Sequence, residues 1–129
     1  MNTATNTYAF ESRGTILVVE DDHDIRVGMR TLLEAEGFRV LTVTNGRSAL
    51  DMLERALEPP CVILLDLMLP VMDGWHFAEL LRKQPRLAGI PIVIMSAYEN
   101  PPPPAGIVGF IKKPVDAEAL LRLVTPYCD

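Results

Sequence analysis

Two hydrophobic rhythms alternate along this chain. Short, continuous apolar runs mark one of them: Ile16-Leu17-Val18-Val19, Val62-Ile63-Leu64-Leu65 and Ile92-Val93-Ile94-Met95. Such runs, with no inside–outside alternation, fit strands buried on both faces. Phe38 to Val43, β-branched and aromatic, predicts another strand, and Gly109-Phe110-Ile111 a short fifth one. Between them the spacing becomes helical. Ile25, Met29, Leu32 and Leu33 define a first helix that Gly37 stops. Ala49, Leu50, Leu53, Ala56 and Leu57 define a second, set between an Asn45-Gly46 turn and Pro59-Pro60. Phe77, Leu80 and Leu81 give the inner face of a third helix before Pro85. Asp116 is placed to cap a last helix whose inner face is Leu120, Leu121 and Val124.

Strands alternating with helices predict an α/β fold, a doubly wound, five-stranded parallel sheet covered on both faces. Right-handed crossovers leave few arrangements, and in each of them ligands bind beyond the carboxyl ends of the strands. The residues at those ends are Glu20, Asp21, Asp66, Ser96 and Lys113. At 129 residues the chain has room for one core. Residues 1–12 are small, polar and aperiodic and read as a disordered tail, which leaves 13–129 as the domain.

One segment breaks the rhythm. Tyr98 to Gly106, between the fourth and fifth strands, contains Pro101-Pro102-Pro103-Pro104. Consecutive prolines lack amide donors, clash with a preceding helical turn and favour polyproline II. A shortened, helix-free crossover is expected there. Such a run also presents a preformed surface to a partner, so it is either a docking element or a plain shortcut.

Composition narrows the function classes. The net charge is −5 with a pI near 5.0, and no Lys/Arg cluster offers a footprint for nucleic acid. No apolar run reaches the roughly 20 residues of a membrane span, and no leader pattern opens the chain. The cytoplasm is the expected location. Two cysteines, Cys61 and Cys128, do not make a disulfide framework; Cys61 is expected to pack as a small hydrophobe in a reducing compartment.

The strand-end residues carry the chemistry. Three carboxylates brought close together raise one another's pKa unless a cation intervenes. Mg²⁺ takes hard oxygen ligands from one or two carboxylates and leaves positions for water or phosphate oxygens. Glu20 and Asp21 suit that task, which leaves Asp66 as a nucleophile, since carboxylates do form acyl phosphates. Lys113 adds a positive charge and Ser96 a hydrogen bond, both useful where charge accumulates on phosphoryl oxygens. Blander readings exist for each. Asp22 suits a helix cap and is left out of the ligands; Ser96 or Lys113 alone would mean little; His23 and His76 lack metal-ligand spacing; Trp75 reads as helix packing.

These same stretches resemble the response-regulator receiver family of two-component signalling. Ile16-Leu17-Val18-Val19-Glu20-Asp21-Asp22 is similar to its first strand and acidic pair, and Leu64 to Gly74 to the stretch around its phospho-accepting aspartate. Ile94-Met95-Ser96-Ala97 resembles the switch hydroxyl segment, and Phe110-Ile111-Lys112-Lys113-Pro114 the lysine–proline segment. The resemblance implies a flavodoxin-like receiver fold from about Gly14 onward. It implies Mg²⁺ held by Glu20, Asp21, Asp66 and the backbone carbonyl of Met68, with Asp66 as phosphoacceptor. It also implies Ser96 and Lys113 as catalytic partners, a cis bond before Pro114, and Ser96 and Phe110 as switch residues. The donor would be a sensor histidine kinase or a histidine phosphotransfer protein, and the reader a downstream target protein. No output domain follows Asp129, so a single-domain regulator is expected, with no nucleic acid or membrane partner. Met68 and Tyr98, flanking the approach of the hydrolytic water in the family, predict slow loss of the phosphoryl group.

Other readings stay open. A pseudo-receiver that binds partners without phosphorylation would tolerate the missing helix. A phosphatase of the haloacid dehalogenase type wants a second acid where Met68 stands. A flavin-binding domain wants a phosphate-cradling loop after the first strand, where this chain has carboxylates.

Overall fold

A computed structural model describes residues 13–97, 102–104 and 106–128. Among these described residues nine elements follow in order: β1 (Thr15–Val19), α1 (His23–Ala35), β2 (Arg39–Val43), α2 (Gly46–Arg55), β3 (Val62–Asp66), α3 (Gly74–Arg82), β4 (Ile92–Ser96), β5 (Ile107–Lys112) and α4 (Ala117–Cys128). The strands form one parallel sheet in the order β2-β1-β3-β4-β5. The strand order reverses beside β1, so the crevice at a doubly wound sheet's switch point opens between the ends of β1 and β3.

Each buried strand feeds two cores. Leu17, Val19, Ile63, Leu65, Ile92 and Ile94 pack toward α2 and α3, around Leu50, Leu53, Phe77 and Leu81. Their neighbours Ile16, Val18, Val62, Leu64, Val93 and Met95 pack toward α1 and α4, around Met29, Leu33, Leu120 and Val124. The period-2 alternation of a pleated strand therefore places apolar side chains on both faces, as the uninterrupted runs required. Burying one such Leu or Ile contributes about 1.5–3 kcal/mol before entropy is counted.

Helix starts follow the caps. Asp22 accepts from the Ile25 amide at 2.9 Å, Asn45 from Ser48 at 2.9 Å, and Asp73 from His76 at 2.8 Å, each satisfying an amide the helix cannot. Asp22 is thus occupied as a cap.

Three expectations change. The second helix ends at Arg55, one residue short of Ala56, and Leu57 stands 98% exposed instead of lining a core. The apolar spacing runs on past the helix because Ala56 has already turned to extended backbone ahead of Pro59-Pro60. The fifth strand is longer than expected, Ile107–Lys112. Finally, Cys61 is not a lone packed thiol: it is disulfide-bonded to Cys128, 67 residues away. Parallel winding carries the end of α4 back to the start of β3, a meeting that sequence spacing cannot announce.

The expected tail over residues 1–12 lies outside the described residues, as do Tyr98 to Pro101 and Ala105. Of the crossover, Pro102–Pro104 and Gly106 are described and are not helical. Trp75, in the first turn of α3, packs against the core, as expected of it, and its indole Nε1 also donates to the Pro102 carbonyl at 2.7 Å.

Candidate functional site

The β1 and β3 ends deliver the acids. Glu20 follows β1 directly and is 1% exposed; its backbone amide donates to the Val43 carbonyl at 3.0 Å, which extends the β1–β2 ladder by one residue. Asp66 is the last residue of β3 and is 6% exposed. Carboxylates this deep need partners. Glu20 Oε2 accepts from the Asp22 amide at 3.1 Å, and Asp66 Oδ1 from the Met68 amide at 3.0 Å. Their remaining oxygens meet the ammonium of Lys113, at 2.5 Å from Glu20 Oε1 and 3.0 Å from Asp66 Oδ2.

Lys113 reaches this position because β5 continues the ladder beside β4. Ser96 pairs with Lys112 in register, and the Lys113 amide donates to the Ser96 carbonyl at 2.8 Å. The Lys113–Pro114 bond is cis, as the resemblance implied. Ser96 is itself 1% exposed, next along β4 from Met95, which is paired with Asp66. Asp21 is exposed, but one of its oxygens belongs to a set with Glu20 and Asp66 whose members lie within 4.8 Å of one another.

The loop after β3 approaches closely. A Cβ on Gly74 would lie 2.8 Å from the Asp66 carbonyl oxygen and 2.7 Å from Leu67 Cα, so only glycine lets α3 begin here. In the same loop Val71 has φ 66°, a left-handed conformation that a β-branched residue rarely adopts. Met68 projects a 53% exposed side chain beside Asp66.

Electrostatics follow from burial. Desolvation pushes the Glu20 carboxyl above the usual carboxylate value, against the lowering effect of its bonds to Lys113 and the Asp22 amide; the charge on Asp66 adds to the rise. Burial pulls Lys113 down, but its hydrogen bonds to Glu20 and Asp66 outweigh that and hold it above the ordinary lysine value. Lys113 is a firm cation between two acids.

Glu20, Asp21, Asp66, Ser96 and Lys113 are thus brought to one end of the sheet. Phe110 lies on the edge strand, 39% exposed, apart from this ionic cluster. Sequence reasoning missed Arg26. Its Nη1 donates to the carbonyls of Glu20 at 3.1 Å and Asp21 at 2.8 Å, fixing the backbone that carries the acids. No sequence signal marks it, because its partners are backbone carbonyls.

The donor set fits a hard cation. Three carboxylates at such spacing, one of them exposed and able to adjust, match what Mg²⁺ takes while keeping water or phosphate positions.

Known proteins agree on the family. The model for the response regulator receiver domain matches residues 16–125. An uncharacterised 14.6 kDa protein of Leptolyngbya boryana is 36% identical, over 88% of each chain. The sensor histidine kinase CheAY of Helicobacter pylori is 29% identical over 96% of this chain, which spans 16% of the kinase's length. The other longer curated relatives are likewise spanned only in part, up to 49%. Among solved structures, the receiver domain of the Pseudomonas aeruginosa sensor histidine kinase PA1611, described with a magnesium ion in its active-site cleft, superposes with TM-score 0.81 at 28% identity, covering 89% of this chain and 97% of that one. With its five-stranded parallel sheet and flavodoxin-like winding, this chain belongs to the response regulator receiver family.

Proposed function

We propose that this chain is a phosphoryl-accepting switch in which Asp66 is the acceptor. The observation that carries the proposal is the buried Asp66 carboxylate, held between Lys113 and the Met68 amide beside Glu20 and Asp21. In the proposed step an Asp66 oxygen attacks the phosphorus of a phosphohistidine. A P–O bond forms, the P–N bond breaks, and the imidazole leaves with its electron pair. Lys113 offers its charge to the phosphoryl oxygens, and Ser96 its hydroxyl. Glu20, Asp21, Asp66 and the Met68 carbonyl would hold Mg²⁺, which when bound neutralises charge on those oxygens. Phe110 and Ser96 would carry the change outward.

The donor in this reading is a sensor histidine kinase or a histidine phosphotransfer protein. The product is read by a downstream target protein rather than by nucleic acid, and the setting is the cytoplasm. Residues 13–129 form the receiver. No helix among the described residues is long and apolar enough to cross a membrane. The test is intact-mass analysis after exposure to a small phosphodonor with Mg²⁺. One phosphoryl adduct is expected on the wild type and none on Asp66→Asn; no wild-type adduct under saturating donor would sink the reading.

A second reading rests on the crossover. Its described part is non-helical and tied to Trp75, so a phosphorylation-independent interaction module is the alternative. It predicts partner binding that neither Mg²⁺ nor a beryllofluoride mimic changes.

A further inference from the structure

The amino end of the sheet carries a second piece of chemistry. The chain contains two cysteines, and they are joined to each other. Cys61 enters β3, and Cys128 closes α4. Three features make this more than a buried staple. Cys61 is half-buried and lines an open cleft of about 640 Å³, with Gly14, Thr15, Arg39 and the Leu57–Pro59 segment around it, which offers a route of approach for a thiol from solution. Cys128, by contrast, is 8% exposed. Next, the surroundings suit the reduced state too: Cys61 Sγ lies 3.2 Å from the Thr15 carbonyl, an acceptor for the thiol proton. Gly14, at φ 121°, leaves the space, since a Cβ there would come within 3.0 Å of that sulfur. Last, the helix turn that the bond secures is weak by itself. Pro126 sits inside α4 and cannot donate to the preceding turn, so the final turn loses a backbone hydrogen bond.

We propose that Cys61–Cys128 is a reversible thiol–disulfide exchange site whose reductant is a dithiol and whose state sets whether the last turn of α4 is held to β3. A thiolate of the dithiol attacks Cys61 Sγ through the cleft. The S–S bond breaks, and Cys128 leaves as a thiolate that takes a proton from water. The second thiol of the reductant then attacks the mixed disulfide and releases Cys61. Two electrons have passed to the cysteine pair, and the dithiol has become a disulfide. An oxidised dithiol reverses each step. The inference does not depend on phosphoryl chemistry, since the exchange site lies at the opposite end of the strands from Asp66.

The experiment is a redox titration of the full chain in glutathione buffers and in dithiothreitol, quenched by alkylation and read by intact mass, with amide exchange followed in parallel. The oxidised chain should take no alkyl groups. The reduced chain should take one on each cysteine while its circular dichroism stays native. Exchange at Leu123–Cys128 should rise by about tenfold or more, with β1 and β3 unchanged, as local opening requires. Cys128→Ser should show the fast exchange from the start and ignore the dithiol. A bond that opens only when the whole domain unfolds, α4 exchange equal in both states, or a Cys128→Ser chain that fails to fold would each overturn the proposal and leave a fixed staple.

Discussion

At the carboxyl end of the sheet, two buried acids and one lysine share a hydrogen-bonded corner, with the exposed Asp21 at its edge. At the amino end, a covalent bond and apolar packing close the same strands. The first region stores its stability in charges that a ligand can redistribute; the second stores it in a bond that only chemistry can cut. Both ends act on β3, which carries Asp66 at one terminus and follows Cys61 at the other. One strand thus connects the proposed phosphoryl acceptor with the proposed exchange site, and its interior residues, 0% exposed from Val62 to Leu65, fill the length between them.

Perturbing each end in turn tests this contrast. The largest effect is expected from Asp66→Asn, which should abolish the phosphoryl adduct in intact-mass analysis while leaving the Cys61–Cys128 bond in place. Cutting the other end comes next. Removing a disulfide that spans 67 residues should cost about 4 kcal/mol of global stability in urea unfolding, because the unfolded chain regains the entropy of an open loop. Phosphoryl uptake should survive it.

Lys113→Met follows, at about 3 kcal/mol, since Glu20 and Asp66 lose the cation between them. Its pH signature separates it from a packing loss. The folded lysine value lies above the unfolded value of 10.5, so the stabilisation is complete below that pH and is lost as pH rises through the higher folded value. Wild-type stability should therefore fall across that alkaline window, and Lys113→Met should show no such fall. A smaller effect is expected from Met68→Asn. It replaces an exposed apolar side chain beside Asp66 with an amide able to hold water, and should speed decay of the phosphorylated form about tenfold, or ~1.4 kcal/mol of barrier. Equal decay rates would remove Met68 from the account of lifetime. The smallest is Val71→Gly, which relieves the left-handed backbone and should raise stability by a few tenths of a kcal/mol to about 1 kcal/mol in thermal unfolding, after the extra freedom glycine gives the unfolded chain.

The two ends also differ in how far the sequence announces them. Acids terminating fully apolar runs locate Glu20 and Asp66 without coordinates, because a parallel sheet leaves strand ends as the place where buried backbone meets ligand. Lys113 was legible through Pro114, which fixed the register against Lys112. Arg26 was not legible: it contacts carbonyl groups, and any backbone has those. The cysteine pair was invisible for a related reason, since 67 intervening residues carry no periodic signal of their ends meeting. Leu57 misled because helical spacing continues for a residue or two after the backbone has left the helix. The bond from Trp75 to Pro102 was beyond reach as well, joining a helix to a segment with no periodicity.

Arg26 has a kinetic meaning. Because its guanidinium already grips the peptide oxygens of the acidic pair, that hairpin of backbone gives up its freedom when the chain folds rather than when a guest arrives. An ion bound there as proposed would find its seat already shaped, and its loading would then wait on shedding water rather than on rearranging polypeptide.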